Sequence, residues 1–286
     1  ICIIDLNQPR TALRIPNPDA PEAVPLHRRE ILGLDFSPDG QRLVTASADG
    51  SAKVIDMDSG KPVLTLPPEG NLRRGINRAV FDPVDGGRIG LACADERGRV
   101  YRTDGTQIAT VGEIQEGGVT IRLHTSGVRD LDFARDGRYL VAGDEDGQVV
   151  RWDLTREGSA QILGQHRLAV TQVRVAPPHG DADAEPVALT ASDDRTARLW
   201  GVYTGRELAA FSHDAAVTDA LLSTDGSRVM TFSDRDGSAR LWGVRRISRI
   251  GHRMTQTDHV GSVAVSPDAA VSEGQSNDAA SDRADA

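Results

Sequence analysis

Serine, histidine and aspartate together can activate a hydroxyl nucleophile, and this sequence brings the three round repeatedly. Ser192 to Trp200 reads Ser-Asp-Asp-Arg-Thr-Ala-Arg-Leu-Trp, with His166 upstream. The same order returns as Asp144 to Trp152, as Asp234 to Trp242 and, with Ile in the last place, as Ser47 to Ile55. A weaker copy ends at Thr103 and has Arg97 where the turn aspartate stands elsewhere. A Ser-His-Asp triad needs a single constellation with an exposed nucleophile and an oxyanion hole. A set that comes back unit after unit answers a structural need instead. The sequence also lacks a GxSxG elbow, a P-loop, an HExxH helix and a dinucleotide fingerprint. No catalytic residue, metal or cofactor is assigned, and the fragment is expected not to be an enzyme.

The other chemistry open to these side chains is a closed hydrogen-bond network. A carboxylate accepts from the histidine ring N–H, and a hydroxyl and an indole N–H complete the pairing. Such a network ties a loop to a hairpin, so the question passes to the elements it joins.

The last residues of the five copies, at 55, 103, 152, 200 and 242, lie 48, 49, 48 and 42 residues apart. That period marks a repeat architecture, and all three tryptophans fall on one repeat position. His27, His124, His166 and His213 each stand ten residues before the residue that opens the next turn, namely Ser37, Ala134, Ala176 and Ser223. Each unit divides into four short apolar runs. The turns between them carry Pro, Gly and Asp in favoured places, as in Ser37-Pro38-Asp39-Gly40 and Asp49-Gly50. Complete units span about 31–66, 76–111, 128–163, 170–211 and 217–250, with a back half at 1–15 and a front strand at 260–268. An insert, Glu113–Leu123, offers Val119–Leu123 as an extra edge strand or an exposed loop. Residues 269–286 hold too little apolar content to offset the entropy of ordering and read as a disordered acidic tail.

One four-stranded sheet leaves two faces and two edges open. Packing such sheets face to face around an axis covers the faces and leaves only short edges. The expected class is all-β: a β-propeller of four-stranded antiparallel blades over residues 1–268. Five complete blades with partial ones at both ends make six composite blades, or part of a seven-bladed ring.

With its pre-strand histidines, Ser-Pro-Asp-Gly turns, aspartate hairpins and terminal Trp, the chain resembles the WD-repeat propeller family over about residues 1–268. The resemblance implies a buried tetrad of His, Ser, Asp and Trp in each blade. Only the fourth unit has all four: His166, Ser192, Asp194 and Trp200. The first keeps His27, Ser47 and Asp49 with Ile55. The third keeps His124, Asp146 and Trp152 with Asp144 in the serine place, and the fifth His213, Asp236 and Trp242 with Asp234 there. The second keeps none. The resemblance also implies protein or peptide binding on the face that bears the aspartate turns. Candidate contacts are the neighbours that the tetrads leave free: Arg28, Arg29 and Glu30; Ser126; Arg167 and Leu168; and Glu145, Asp193 and Arg235.

Composition narrows the partners. A net charge of −9 argues against a nucleic-acid surface, and no apolar run approaches the roughly 18 residues of a membrane helix. Cys2 and Cys93 lack any zinc or disulfide pattern and read as buried thiols of a reducing, cytoplasmic compartment. The loop His179 to Glu185 alternates acids but lacks the Gly and distal Glu of a calcium loop. The leading expectation is a non-catalytic, protein-binding scaffold or sensor, the C-terminal part of a multidomain chain. It resembles bacterial proteins in which a propeller follows a signalling NTPase or kinase. The alternative is a propeller enzyme or small-ligand binder with its site in the central channel.

Overall fold

Short β-branched runs closed by Gly and Asp turns cross one sheet each and then reverse. The computed structural model describes residues 2–4, 12–14, 25–67, 72, 74–116, 118–156, 158–176, 185–223, 226–244 and 248–255. Within them the chain is all-β, and each complete unit is a four-stranded antiparallel meander. Two short paired strands, β1 (Cys2–Ile4) and β2 (Ala12–Arg14), come first. The first blade is β3 (Ile31–Phe36), β4 (Arg42–Ser47), β5 (Ala52–Asp56) and β6 (Pro62–Leu66). The second is β7 (Ile76–Phe81), β8 (Arg88–Cys93), β9 (Gly98–Arg102) and β10 (Gln107–Val111). A separate ribbon follows, β11 (Glu113–Glu116) paired with β12 (Val119–Arg122), so the insert is a hairpin and not an edge of the second blade. The third blade is β13 (Val128–Phe133), β14 (Tyr139–Asp144), β15 (Gln148–Asp153) and β16 (Ala160–Gln165). The fourth is β17 (Val170–Ala176), β18 (Val187–Ser192), β19 (Thr196–Gly201) and β20 (Glu207–Ser212). The fifth is β21 (Asp219–Leu222), β22 (Arg228–Ser233), β23 (Ser238–Gly243) and β24 (Ser248–Thr255). β24 runs five residues past the expected end at Ile250.

Among the described residues the core lies between blades, in four layers, with a smaller cluster of Leu26, Leu43 and Ile55 at the first blade. Val44, Val54 and Leu66 of the first blade meet Ile76, Phe81 and Leu91 of the second, and the same pairing joins each later blade to the next. Second strands therefore have a neighbour on both faces, and β14 is buried throughout. This is why they read as continuous apolar runs and not as alternating ones. The first strands of consecutive blades lie against one another. On β3 the side chains of Leu32, Leu34 and Phe36 are exposed.

Two devices join the first strands. Pairing with the second strand shifts register near the start of β3, β7, β13 and β17, a β-bulge at Leu32, Asn77, Arg129 and Thr171. Further along, side chains accept backbone N–H groups of the next blade: Asp35 from Phe81 (2.8 Å), Asp130 from Val173 (2.9 Å), Asp132 from Val175 (2.8 Å) and Gln172 from Ala220 (2.6 Å). Among the described residues no helix is long and apolar enough to cross a membrane. The strand expected over 260–268, the tail 269–286 and most of the acidic loop at 177–184 lie outside the described residues.

Candidate functional site

In the fourth blade the loop before β17 brings His166 over the β18–β19 hairpin. His166 Nδ1 lies 3.1 Å from Asp194 Oδ2 and its Nε2 2.8 Å from Thr190 Oγ1, while Trp200 Nε1 donates to the same Thr190 oxygen at 2.9 Å. A carboxylate only accepts, so the ring proton sits on Nδ1 and Thr190 donates to Nε2. The hydroxyl that closes this network is therefore Thr190 and not Ser192, which corrects the sequence expectation. Ser192, two residues on, instead accepts from Asp194 N–H (3.0 Å) and donates to Leu168 O (3.1 Å), fixing the turn to the preceding loop. Both hydroxyls share one strand face, but only Thr190 is diagonal to Trp200, which pairs across with Ala188. Burial opposes the Asp194 charge, but hydrogen bonds from His166, Thr196 and the Arg167 N–H outweigh it and hold the carboxyl well below its usual range.

The first blade builds the same bridge to Thr45 (2.8 Å from His27 Nε2), with His27 Nδ1 3.3 Å from Asp49 and 3.0 Å from Ser51. Ser47 again serves the turn, accepting from Asp49 N–H. Burial opposes the Asp49 charge, yet bonds from Ser51 and from the Arg28 N–H hold its carboxyl at about 2. Burial also lowers the His27 pKa, so the ring is neutral. In the fifth blade Thr231 takes both His213 Nε2 (2.5 Å) and Trp242 Nε1 (2.8 Å). Strand register puts Ser233 at the place of Ser192, so Asp234 is not the serine substitute; Arg235 lengthens this turn by one residue. Asp236 accepts from Ser238 N–H, and Ser238 Oγ lies 3.3 Å from His213 Nδ1.

The third blade departs further. His124 Nδ1 meets Asp144 at 2.9 Å, both side chains fully buried, whereas Asp146 is exposed and accepts from Thr125. Asp146 is thus corrected out of the network. Asp144 reaches back to the ring and also accepts from the N–H groups of Asp146 and Gln148, the turn-anchoring work that Ser192 and Asp194 divide between them in the fourth blade. Ala142 stands at the bridging position of Thr190, and His124 Nε2 and Trp152 Nε1 are both buried without a hydrogen-bond partner. In the second blade register places Tyr101, not Thr103, at the Trp position, and Asp95, not Arg97, at the turn aspartate. Asp95 is held by a bidentate pair with Arg99 (2.8 and 2.6 Å), and Tyr101 donates to Gln107.

The remaining candidates gather around these hairpins. Arg28, Arg29, Glu30, Glu145, Arg167, Leu168 and Arg235 are exposed; Ser126 and Asp193 are half-buried. Their backbones serve the networks: the N–H groups of Arg28 and Arg167 donate to Asp49 and Asp194, and that of Asp193 to Ala169 O. Ser126 Oγ accepts from Asp146 N–H, and Glu145 lies 3.7 Å from Arg129. The last residue of each turn takes positive φ. At Gly50 a Cβ would lie 2.1 Å from Leu72 O, because the next loop packs directly on the turn. Arg195 and Glu96 occupy the same place without being glycine, at φ of 73° and 72°.

Sequence reasoning missed two groups. One is Thr45, Thr190 and Thr231, whose signal was a Thr two residues before each of Ser47, Ser192 and Ser233. The other is the bulge residues. Leu32, Asn77, Arg129 and Thr171 line a polar cavity of about 300 Å³ with Arg78, Asp130, Arg174 and Asp219, at the channel end nearest the networks. Among the described residues no cluster of three His, Cys, Asp or Glu side chains could hold a metal ion.

The sequence profile of the WD domain, G-beta repeat family matches residues 23–56, 118–153 and 205–243. The chain contains WD40 repeats. Nuclear distribution protein PAC1 of Arthroderma otae is 30% identical over 155 residues, 52% of this chain and 32% of that protein. Angio-associated migratory cell protein of Homo sapiens is 29% identical over 220 residues, 74% and 48% of the two chains. The guanine nucleotide-binding protein subunit beta of Oryza sativa subsp. japonica is 28% identical over 142 residues, 45% and 36%. The WD40 chain thus spans about a third to a half of these relatives. They are eukaryotic, and the bacterial context expected from the sequence finds no support among them.

Proposed function

We propose that these WD40 repeats form a non-catalytic scaffold that binds a protein or peptide on the face bearing the aspartate hairpins. The carrying observation is how the reactive groups are used. His27, His124, His166 and His213 are buried and bonded within their own blades, and the hydroxyls of Thr45, Thr190 and Thr231 go to the same networks. What these networks leave at the surface is a mixed-charge rim, with Arg28, Arg29, Glu30, Glu145, Arg167 and Arg235 around the exposed Leu168. Loops held by a rigid scaffold are where recognition concentrates. The match to WD-repeat segments, and the likeness to the guanine nucleotide-binding protein subunit beta, support the reading. A cytoplasmic location and a covalently joined signalling NTPase or kinase belong to the same proposal; the coding region upstream of Ile1 tests the latter. For the binding face, Arg29→Glu, Glu145→Lys and Arg235→Glu are expected to abolish recovery of partners by affinity capture. Unchanged recovery with all three substitutions rules it out.

A further inference from the structure

At the channel end remote from the histidine networks, a cavity of about 450 Å³ opens between β3, β7, β13 and β17. Its wall is aromatic and apolar: Phe36, Phe81 and Phe133 end three successive first strands, and Pro38, Pro83 and Val175 fill in between. Set into that wall are the carboxylates of Asp35 and Asp132. Each accepts backbone N–H groups, from Phe81 for Asp35 and from Phe133 and Val175 for Asp132. Among the described residues neither has an ion-pair partner within 4.0 Å, whereas nearby Asp130 is paired with Arg174 at 3.1 Å. Among the described residues of the wall Arg135, exposed, is the one cation.

Two carboxyl groups with no ion-pair partner within 4.0 Å resist ionising together in a mostly apolar cavity, and a bound cation would stabilise the charged form of both. Burial pushes the Asp132 carboxyl up to about 7 against the Val175 N–H and the charge of Arg174, with the Asp130 and Asp35 charges adding to the rise. Burial raises Asp35 as well, against the Phe81 N–H and the charges of Arg78 and Arg174, which act on it from beyond ion-pair distance. A hard metal ion is a poor match, since it requires several oxygen ligands. A planar guanidinium fits better: it stacks on phenyl rings and bonds carboxylates through a fixed fork of donors. The repeat itself shows this contact. Arg42 lies over Phe81 (5.4 Å) and Arg88 over Phe133 (5.7 Å), each from the preceding blade. Phe36 is 44% exposed, and among the described residues no guanidinium covers it.

We propose that this cavity binds an arginine side chain presented by a peptide, between Phe36 and the carboxylates of Asp35 and Asp132. The proposal rests on the scaffold reading only in taking a peptide as the ligand. It adds a second site at the opposite end of the channel.

Calorimetric titration of the whole chain with three capped tripeptides, Gly-Arg-Gly, Gly-Lys-Gly and Gly-norleucine-Gly, tests it. The arginine peptide is expected to bind at least tenfold tighter than the norleucine peptide and more tightly than the lysine peptide. Asp35→Asn with Asp132→Asn is expected to weaken arginine binding tenfold or more. Asparagine keeps an acceptor for the backbone N–H groups, and Phe36→Ala, at an exposed position, gives a second loss independent of those buried groups. Three outcomes each overturn the proposal: no heat with millimolar arginine peptide, equal binding of the norleucine or lysine peptide, or unchanged binding in both variants. Partner capture through Arg29, Glu145 and Arg235 is a separate measurement, so the two readings fail independently.

Discussion

Thr190→Val replaces the bridging hydroxyl with a methyl group and leaves the shape of the side chain nearly intact. Two buried groups lose their partner together, the His166 Nε2 lone pair and the Trp200 Nε1 donor. An orphaned buried polar group costs about 1–3 kcal/mol, so two give roughly 2–6 kcal/mol. That is a large share of the ~5–15 kcal/mol by which domains are stable. Urea unfolding followed by tryptophan fluorescence measures it. Thr190→Ser keeps the hydroxyl and is expected to recover most of the loss. A double-mutant cycle with His166→Phe separates the network from simple packing: groups in one network couple by about 0.5–3 kcal/mol, whereas independent ones add. The third blade supplies the reverse experiment. Ala142→Thr puts a hydroxyl beside His124 Nε2 and Trp152 Nε1, both now unpartnered, and is expected to stabilise by about 1–2 kcal/mol. A loss below about 0.5 kcal/mol for Thr190→Val would refute the assignment of the bridge. So would additive behaviour in the cycle.

Further outcomes follow from single positions. Arg195→Gly relieves a positive φ of 73° at an exposed side chain and is expected to raise stability by about 1 kcal/mol in the same assay; a decrease counts against backbone strain there. Asp132, pushed up to about 7 from 3.8, holds a proton in the folded chain that the unfolded chain releases. The folded state binds more protons between about pH 4 and 7, so this group's contribution to stability falls as pH rises through that window. Asp132→Asn is expected to flatten that slope, and an unchanged slope in a pH series of urea titrations counts against it. Asp194 behaves oppositely. Its lowered pKa stabilises the fold above the usual carboxylate range and is lost as pH falls, so Asp194→Asn is expected to cost stability at pH 7 and little in strong acid.

The architecture was legible because tryptophans in three blades and histidines in four fall on fixed repeat positions, which the second blade fills with other residues. The networks were legible only in part. Ser192 and Asp194 sit in the conspicuous turn, whereas Thr190 lies inside a strand, where Thr is also an ordinary β-former. In Asp144-Glu145-Asp146 the sequence offers two carboxylates two residues apart, and only the path of the backbone decides which one reaches His124. Tyr101 was hidden by counting from the wrong residue of a degenerate turn; its pairing with Ile89 fixes the register. The bulges left no trace in composition, since a register shift is a property of two strands and not of either alone.

Those bulges carry a consequence for how such a molecule can diversify. Each inserts one residue into a first strand at the same height, and that residue is released from the two-residue rhythm that commits its neighbours to the core. Leu32, Asn77, Arg129 and Thr171 accordingly differ in chemistry, although Asn77 and Thr171 each donate to a carbonyl of the next blade, Val128 O and Val217 O. One end of the channel is therefore written in a separate alphabet. Its letters can be exchanged one blade at a time to change what is recognised, and the layers between blades need not be repacked.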